Sequence, residues 1–218
     1  MSDSAKHYLA FFGFPVAIIL LGNLVIKLFY PIFREYAFIP TVIFYWILTF
    51  GIVYFDSKSR NIGIASYIKN TKFKFYLILL SLIVGCLPLP LFILNIKSLN
   101  TPFLISTWII VALVNPFFEE IFWRGYMIGH GAKMPFYIKS FYSSLLFTLS
   151  HFFIWGVVSE AMKTKELIIS VFIMGFAWSF IYQKSKSIVL PYFSHMLVDI
   201  FNLSVLAFMN LIPIAVMH

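Results

Sequence analysis

The chain has 218 residues, of which 61% are hydrophobic, 20% aromatic and only 11% charged, and its mean hydropathy is +0.94, whereas soluble domains carry charge on about a quarter of their residues. That composition excludes a soluble globular domain and defines a membrane protein. The formal charge of +8 does not point to nucleic acid, because the basic residues fall in short loops between apolar runs and not along one basic face.

Apolar runs long enough to cross about 30 Å of hydrocarbon recur along the whole length. They predict an all-α, polytopic transmembrane helix bundle with spans at 8–30, 36–55, 74–94, 102–129, 138–158, 167–183 and 187–210. The first run is longer than the apolar region of a signal peptide and lacks a small-residue cleavage site after it, so it reads as a retained span. In the third, Pro88 and Pro90 each remove a backbone donor and clash with the preceding turn, which predicts a kink or a break. The tail from Leu211 to His218 extends the last span or forms a partial eighth. The whole of 1–218 reads as one integral membrane domain, with N-terminal spans in 1–101 and the helices that bear polar motifs in 102–210. The single cysteine, Cys86, permits neither a disulfide framework nor a cysteine-based zinc site within one chain.

Orientation follows from lysine and arginine. Lys58, Arg60, Lys69, Lys72 and Lys74 crowd the loop after the second span and place it in the cytoplasm. Alternation then sets the N-terminus with Lys6, the loop with Lys133 and Lys139, and the loop with Lys184 and Lys186 inside; Arg34, Lys97, Lys163 and Lys165 fall outside, the last two offset by Glu160 and Glu166. The short, nearly loop-free chain has the look of a prokaryotic multi-pass membrane protein with a cytoplasmic N-terminus.

Ionisable side chains inside a bilayer are costly, roughly 2.5–3.5 kcal/mol each on insertion scales, and mark functional sites by default. Away from the loops and span ends they are Glu119, Glu120 and Arg124 in the fourth, His151 in the fifth, and His195 with Asp199 in the seventh. At about 1.5 Å of helix rise per residue, Glu119, His151 and His195 lie at depths of roughly 12–18 Å from the cytoplasmic face. Three helices thus bring polar groups to one layer, and a polar cavity open to the cytoplasmic side is expected. Glu120 with Arg124 and His195 with Asp199 are i,i+4 neighbours able to pair on one helix face. Glu119 and Glu120 point about 100° apart, which leaves Glu120 to be held by Arg124 and Glu119 free to face both histidines. Gly125 and Gly129 form a G-x-x-x-G step, which admits a close helix neighbour.

Each residue alone has a bland reading: a histidine or aspartate bonding across a helix interface, a structural Glu–Arg pair, aromatics facing lipid and the interface and not forming a ligand cage. Two carboxylates, two histidines and an aspartate at one depth fit packing poorly, since each incurs a desolvation penalty that an apolar side chain avoids. A carboxylate beside an imidazole can hold and deprotonate water, the general-base arrangement for hydrolysis, with the remaining donors facing an oxyanion. There is no G-x-S-x-G nucleophile and no H-E-x-x-H zinc helix. Glu119, His151 and His195 nonetheless remain a possible two-histidine, one-glutamate zinc set. Proton-relay transport also uses buried carboxylates and histidines.

The segments EEIFWRG (119–125), FTLSH (147–151) and HMLVD (195–199) resemble, in order and context, the motifs E-E-x-x-x-R, F-x-x-x-H and H-x-x-x-N/D of the CAAX protease and bacteriocin-processing family of intramembrane endopeptidases. The resemblance covers about residues 102–205. It implies that Glu119 and His151 activate water, that His195 stabilises the oxyanion, and that Glu120 and Arg124 support the site, without a metal or other cofactor; a metalloprotease reading stands as the alternative. Motif three often ends in Asn, which donates through its amide, whereas Asp199 donates only when protonated; its other reading is to orient His195. The implied partner is a membrane-associated peptide or lipopeptide in the bilayer, with bacteriocin processing, immunity or peptide maturation as the setting. The rival is a non-catalytic membrane immunity or regulatory protein on the same fold.

Overall fold

The computed structural model describes residues 9–69, 72–130 and 134–211, so the expectations for Lys6 and Lys133 and for all of the tail after Leu211 lie outside it. Among the described residues every regular element is helical. After a π-turn at Leu9–Gly13 come α1 (Phe14–Phe33) and α2 (Phe38–Ser59), then α3 (Phe75–Cys86) and α4 (Leu89–Asn95). The rod α5 runs Pro102–His130, and α6 (Phe136–Phe153), α7 (Lys165–Ser185), α8 (Val189–Phe201) and α9 (Ser204–Phe208) follow.

Five helical stretches are long and apolar enough to cross a membrane: Leu9–Ser59, Phe75–Ser98, Pro102–His130, Phe136–Val157 and Lys165–Ser185. The first holds both α1 and α2. Arg34 between them adopts φ 53°, a left-handed conformation that L-residues seldom take, and the two helices pack against each other. The proline pair acts as expected: α3 ends at Cys86 and α4 restarts at Leu89. The last expected span departs from a single helix. α8 has 13 residues, about 20 Å, and stops where Leu203 turns to φ 53°; α9 then folds back under the bundle, with its Ser204–Phe208 side chains buried.

Lipid-ready surface is supplied by aliphatics and phenylalanines such as Leu20, Ile32, Ile47, Phe55, Phe75 and Ile93. The tryptophans correct the expectation that the aromatics would face lipid. Trp123, Trp155 and Trp178 are among the largest fully buried side chains: Trp123 and Trp178 donate to Tyr45 OH and Ser194 Oγ, and Trp155 packs against the rings of Tyr45 and Phe208. The expected G-x-x-x-G contact is also different from a helix crossing. Gly125 faces the ring of Tyr67, whose Cδ1 lies 2.9 Å from where a Cβ would sit, while Gly129 faces open space.

The end of α2, with Asp56, and the segment after it, with Arg60 and Tyr67, meet the end of α5 and the approach to α8, through His130 Nε2 to Asp56 Oδ2 at 3.0 Å and Ile188 N–H to the Tyr67 carbonyl at 2.9 Å. This is the basic end of the bundle. The opposite end holds the Arg34 reversal, residues 96–101, the turn at 154–164 and α9, tied by the Ser159 hydroxyl donating to the Ala207 carbonyl at 2.6 Å and by Phe38 against Phe208.

Candidate active site

The site begins with a change of helical pitch. α5 is α-helical to Glu120, widens to a π-helix over Ile121–Tyr126 and closes as α-helix at Met127–His130. Pro116 lies inside the helix just before it and withholds a backbone donor; π-turns of this kind gather at functional sites. Glu119, Glu120 and Arg124 on this stretch are all 0% exposed.

His195, brought in by α8, is the hub. Its Nδ1 lies 2.9 Å from Glu120 Oε1 and its Nε2 lies 3.5 Å from Glu119 Oε2 and 3.8 Å from Asp199 Oδ1. A carboxylate only accepts, so the Glu120 contact assigns the proton on that side to Nδ1. The Trp178 ring stacks on the imidazole at 4.2 Å and 17°, and its Nε1 donates to Ser194 Oγ at 2.9 Å, which fixes the plane of the ring.

Arg124 closes the chain from behind. Its Nη1 sits 3.0 Å from Glu120 Oε1, its Nη2 donates to the Gly175 carbonyl at 3.3 Å, and its guanidinium lies over the rings of Phe147 and Trp178 at 4.5 and 5.1 Å. Those two rings form a cage for a cation of this chain. The close approach depends on Gly175, where an added Cβ would stand 3.2 Å from Arg124 Nη2.

The i,i+4 pair of Glu120 and Arg124 is therefore as expected, and Asp199 flanks His195 at a longer distance than a hydrogen bond. Glu119 meets one histidine and not two. Among the described residues its imidazole neighbour within 4 Å is His195. His151 stands apart because Phe147, one turn earlier on α6, packs against both rings, at 4.5 Å from His151 and 5.8 Å from His195. His151 Nδ1 donates to the Phe147 carbonyl at 2.9 Å, which leaves its Nε2 as the acceptor.

Three residues of the site carried no signal in the sequence. Asn115 donates from Nδ2 to Glu119 Oε2 at 3.0 Å while its Oδ1 accepts from Trp46 Nε1 at 2.9 Å; since an indole only donates, this fixes which way the amide faces. Tyr45 OH accepts from Trp123 Nε1 at 2.8 Å and neighbours the Glu119 carboxylate. Gly175 is the third. Oε1 of Glu119, Oε2 of Glu120 and Oδ2 of Asp199 are buried without a hydrogen-bond partner in the protein. Unsatisfied buried acceptors of this sort are where water or a substrate donor belongs.

Beside this cluster lies a cavity of ≈ 390 Å³ whose polar wall includes Asn115, His151, His195, Asp199 and Asn202, with apolar walls from Leu91, Trp155, Met174 and Phe208 among others. Its lining comes from the break between α3 and α4, the turn after α6, the start of α7 and α9, all toward the end of the bundle opposite the basic loops. Among the described residues no group of three or more His, Cys, Asp or Glu side chains is arranged to hold a metal ion. Of that possible zinc set, Glu119 and His195 approach to 3.5 Å, while His151 stands on the other side of the Phe147 ring.

Five helical stretches are long and apolar enough to cross a membrane, and buried carboxylates and histidines gather beside the cavity. Residues 101–201 match the family model described as Rce1-like, type II CAAX prenyl endopeptidase Rce1-like; this segment, which holds all three motifs, is similar to that family. The family is one of endopeptidases. No curated protein and no solved structure matches the chain.

Proposed function

We propose that the protein is an intramembrane endopeptidase that hydrolyses a membrane-associated peptide or lipopeptide through a water activated by Glu119. The carrying observation is the buried chain Glu119–His195–Glu120–Arg124, with contacts of 3.5, 2.9 and 3.0 Å, set against a cavity of ≈ 390 Å³. The water sits at the cavity floor, positioned by the accepting Nε2 of His151. Glu119 takes its proton as the oxygen attacks the scissile carbonyl carbon. The oxyanion that forms faces His195, whose ring is held by Glu120 and Trp178. Glu119 then returns the proton to the leaving amine as the C–N bond breaks, which restores the site. Asn115 holds Glu119, and Arg124 balances the charge of Glu120.

Seven crossings with a cytoplasmic N-terminus complete the proposal: α1, α2, α3 with α4, α5, α6, α7, and α8 as a short final element. Peptide maturation, bacteriocin processing or immunity in a prokaryotic membrane is the proposed setting.

The test is cleavage of a fluorogenic lipopeptide by purified protein in liposomes. Glu119→Gln keeps the shape of the side chain and lowers turnover about 10²–10⁴-fold, the range of general-base catalysis. Turnover retained within about threefold of wild type removes Glu119 as the base.

A further inference from the structure

Glu119 stands on α5, yet two side chains that reach it come from α2, outside the segment 101–201 that matches the family model. Tyr45 and Trp46 are adjacent on α2, so they point about 100° apart and approach Glu119 by separate routes. Trp46 Nε1 donates to Asn115 Oδ1 at 2.9 Å, and Asn115 Nδ2 donates in turn to Glu119 Oε2 at 3.0 Å. Tyr45 is 0% exposed, and its hydroxyl accepts from Trp123 Nε1 at 2.8 Å. An indole only donates, so the phenol keeps its own proton for a second partner. The charged groups around that hydroxyl are Glu119 and Arg124. A guanidinium has no lone pair to offer, whereas Glu119 Oε1 is a buried acceptor still in need of a donor.

From these contacts we infer that Tyr45 is a positioning residue of the site, its hydroxyl turned by Trp123 so that the proton points at the Glu119 carboxylate. With Asn115 holding Oε2 and Tyr45 approaching from α2, the carboxylate is restrained from two sides. A carboxylate oxygen has two lone pairs, so one receives the phenol and the other stays free for the attacking water. Misplacing a reacting group by about 1 Å costs about 10²-fold in rate, which sets the scale of what the restraint supplies. Tyr45 touches no substrate: the cavity wall includes Asn115 and Trp155 but not Tyr45. Its effect therefore falls on turnover and not on substrate binding. A purely structural Tyr45 would act instead through its ring, which packs edge-on against Trp155 at 5.8 Å and 70°.

The catalytic consequence rests on the hydrolase reading; the contact with Glu119 does not, and two readouts separate them. Tyr45→Phe keeps the ring against Trp155 and removes the hydroxyl alone. In the fluorogenic lipopeptide assay it lowers kcat about 10–100-fold and leaves KM within about twofold of wild type. A raised KM with kcat unchanged overturns the positioning role. The second readout is thermal melting of wild type, Tyr45→Phe, Glu119→Gln and the double variant. Losing the Trp123 acceptor weakens the fold equally in both backgrounds and so cancels. The hydrogen bond to a charged acceptor is the stronger one, so Tyr45→Phe lowers the apparent Tm by about 2–6 °C more in the wild-type background than in Glu119→Gln. Shifts equal within about 1 °C overturn the contact. Coupled melts with no cleavage by the wild type uphold the contact and overturn its catalytic role together with the hydrolase reading.

Discussion

Glu120 carries two contacts on one oxygen, and its replacement by glutamine separates charge from shape. In Glu120→Gln the Arg124 guanidinium, 0% exposed, keeps the Gly175 carbonyl at 3.3 Å and two ring faces but loses its countercharge. Removing one partner of a buried ion pair costs about 3–5 kcal/mol. At about 2–4 °C per kcal/mol for a chain of this size, the apparent Tm in detergent falls by about 6–20 °C. Arg124→Met alone is milder, because Glu120 retains His195 Nδ1 at 2.9 Å. The double variant Glu120→Gln/Arg124→Met removes both charges and recovers most of the loss, since a buried pair exchanged for neutral groups is about neutral or better. The assay is thermal unfolding of the four proteins followed by intrinsic fluorescence, read as a double-mutant cycle. A Glu120→Gln shift below about 2 °C, or losses that simply add in the double variant, refutes the claim that this pair is dry and mutually dependent.

Asn115→Leu leaves the Trp46 N–H and Glu119 Oε2 without their partner; a buried unsatisfied group costs roughly 1–3 kcal/mol, so kcat falls roughly tenfold to hundredfold while Asn115→Gln at a longer reach recovers part of it. Gly125→Ala drives a Cβ into the Tyr67 ring at 2.9 Å and destabilises by about 1–3 kcal/mol, whereas Gly129→Ala meets nothing within 4 Å and stabilises by up to about 1 kcal/mol; thermal melts of the pair check the contrast. Protein with full activity is expected to contain no stoichiometric zinc and to withstand chelation; metal analysis beside the cleavage assay checks this, and loss of turnover on chelation with recovery on adding zinc revives the two-histidine, one-glutamate site.

The helical membrane class was legible because burial in lipid demands it: backbone groups with no water nearby must pair within their own helix, and length and hydropathy report that directly. The three motif segments were legible because a charge among apolar residues stands out, and helix spacing alone put Glu120 beside Arg124. What spacing along one helix does not encode is the third dimension. Asn115 and Tyr45 look ordinary in sequence, and only the tertiary contacts with Trp46 and Trp123 join them to Glu119. His151 was set level with Glu119 by depth, yet the bulk of Phe147 determines that His195 makes the contact. Gly175 was invisible because the group it admits, Arg124, comes from a helix some fifty positions earlier, as the 51-residue separation of their hydrogen bond records. The π-turn and the end of α8 at Leu203 depend on local backbone conformation that no apolar period announces.

The most direct measurement is product analysis by mass spectrometry after purified protein acts on a membrane-bound lipopeptide in ¹⁸O-water. The account predicts a cleaved peptide whose new carboxylate carries the heavy oxygen with the wild type, and essentially none with a Glu119→Gln protein that melts at the wild-type temperature. Labelled product from both proteins at similar rates, or from neither while the variant still performs the cellular role, contradicts it.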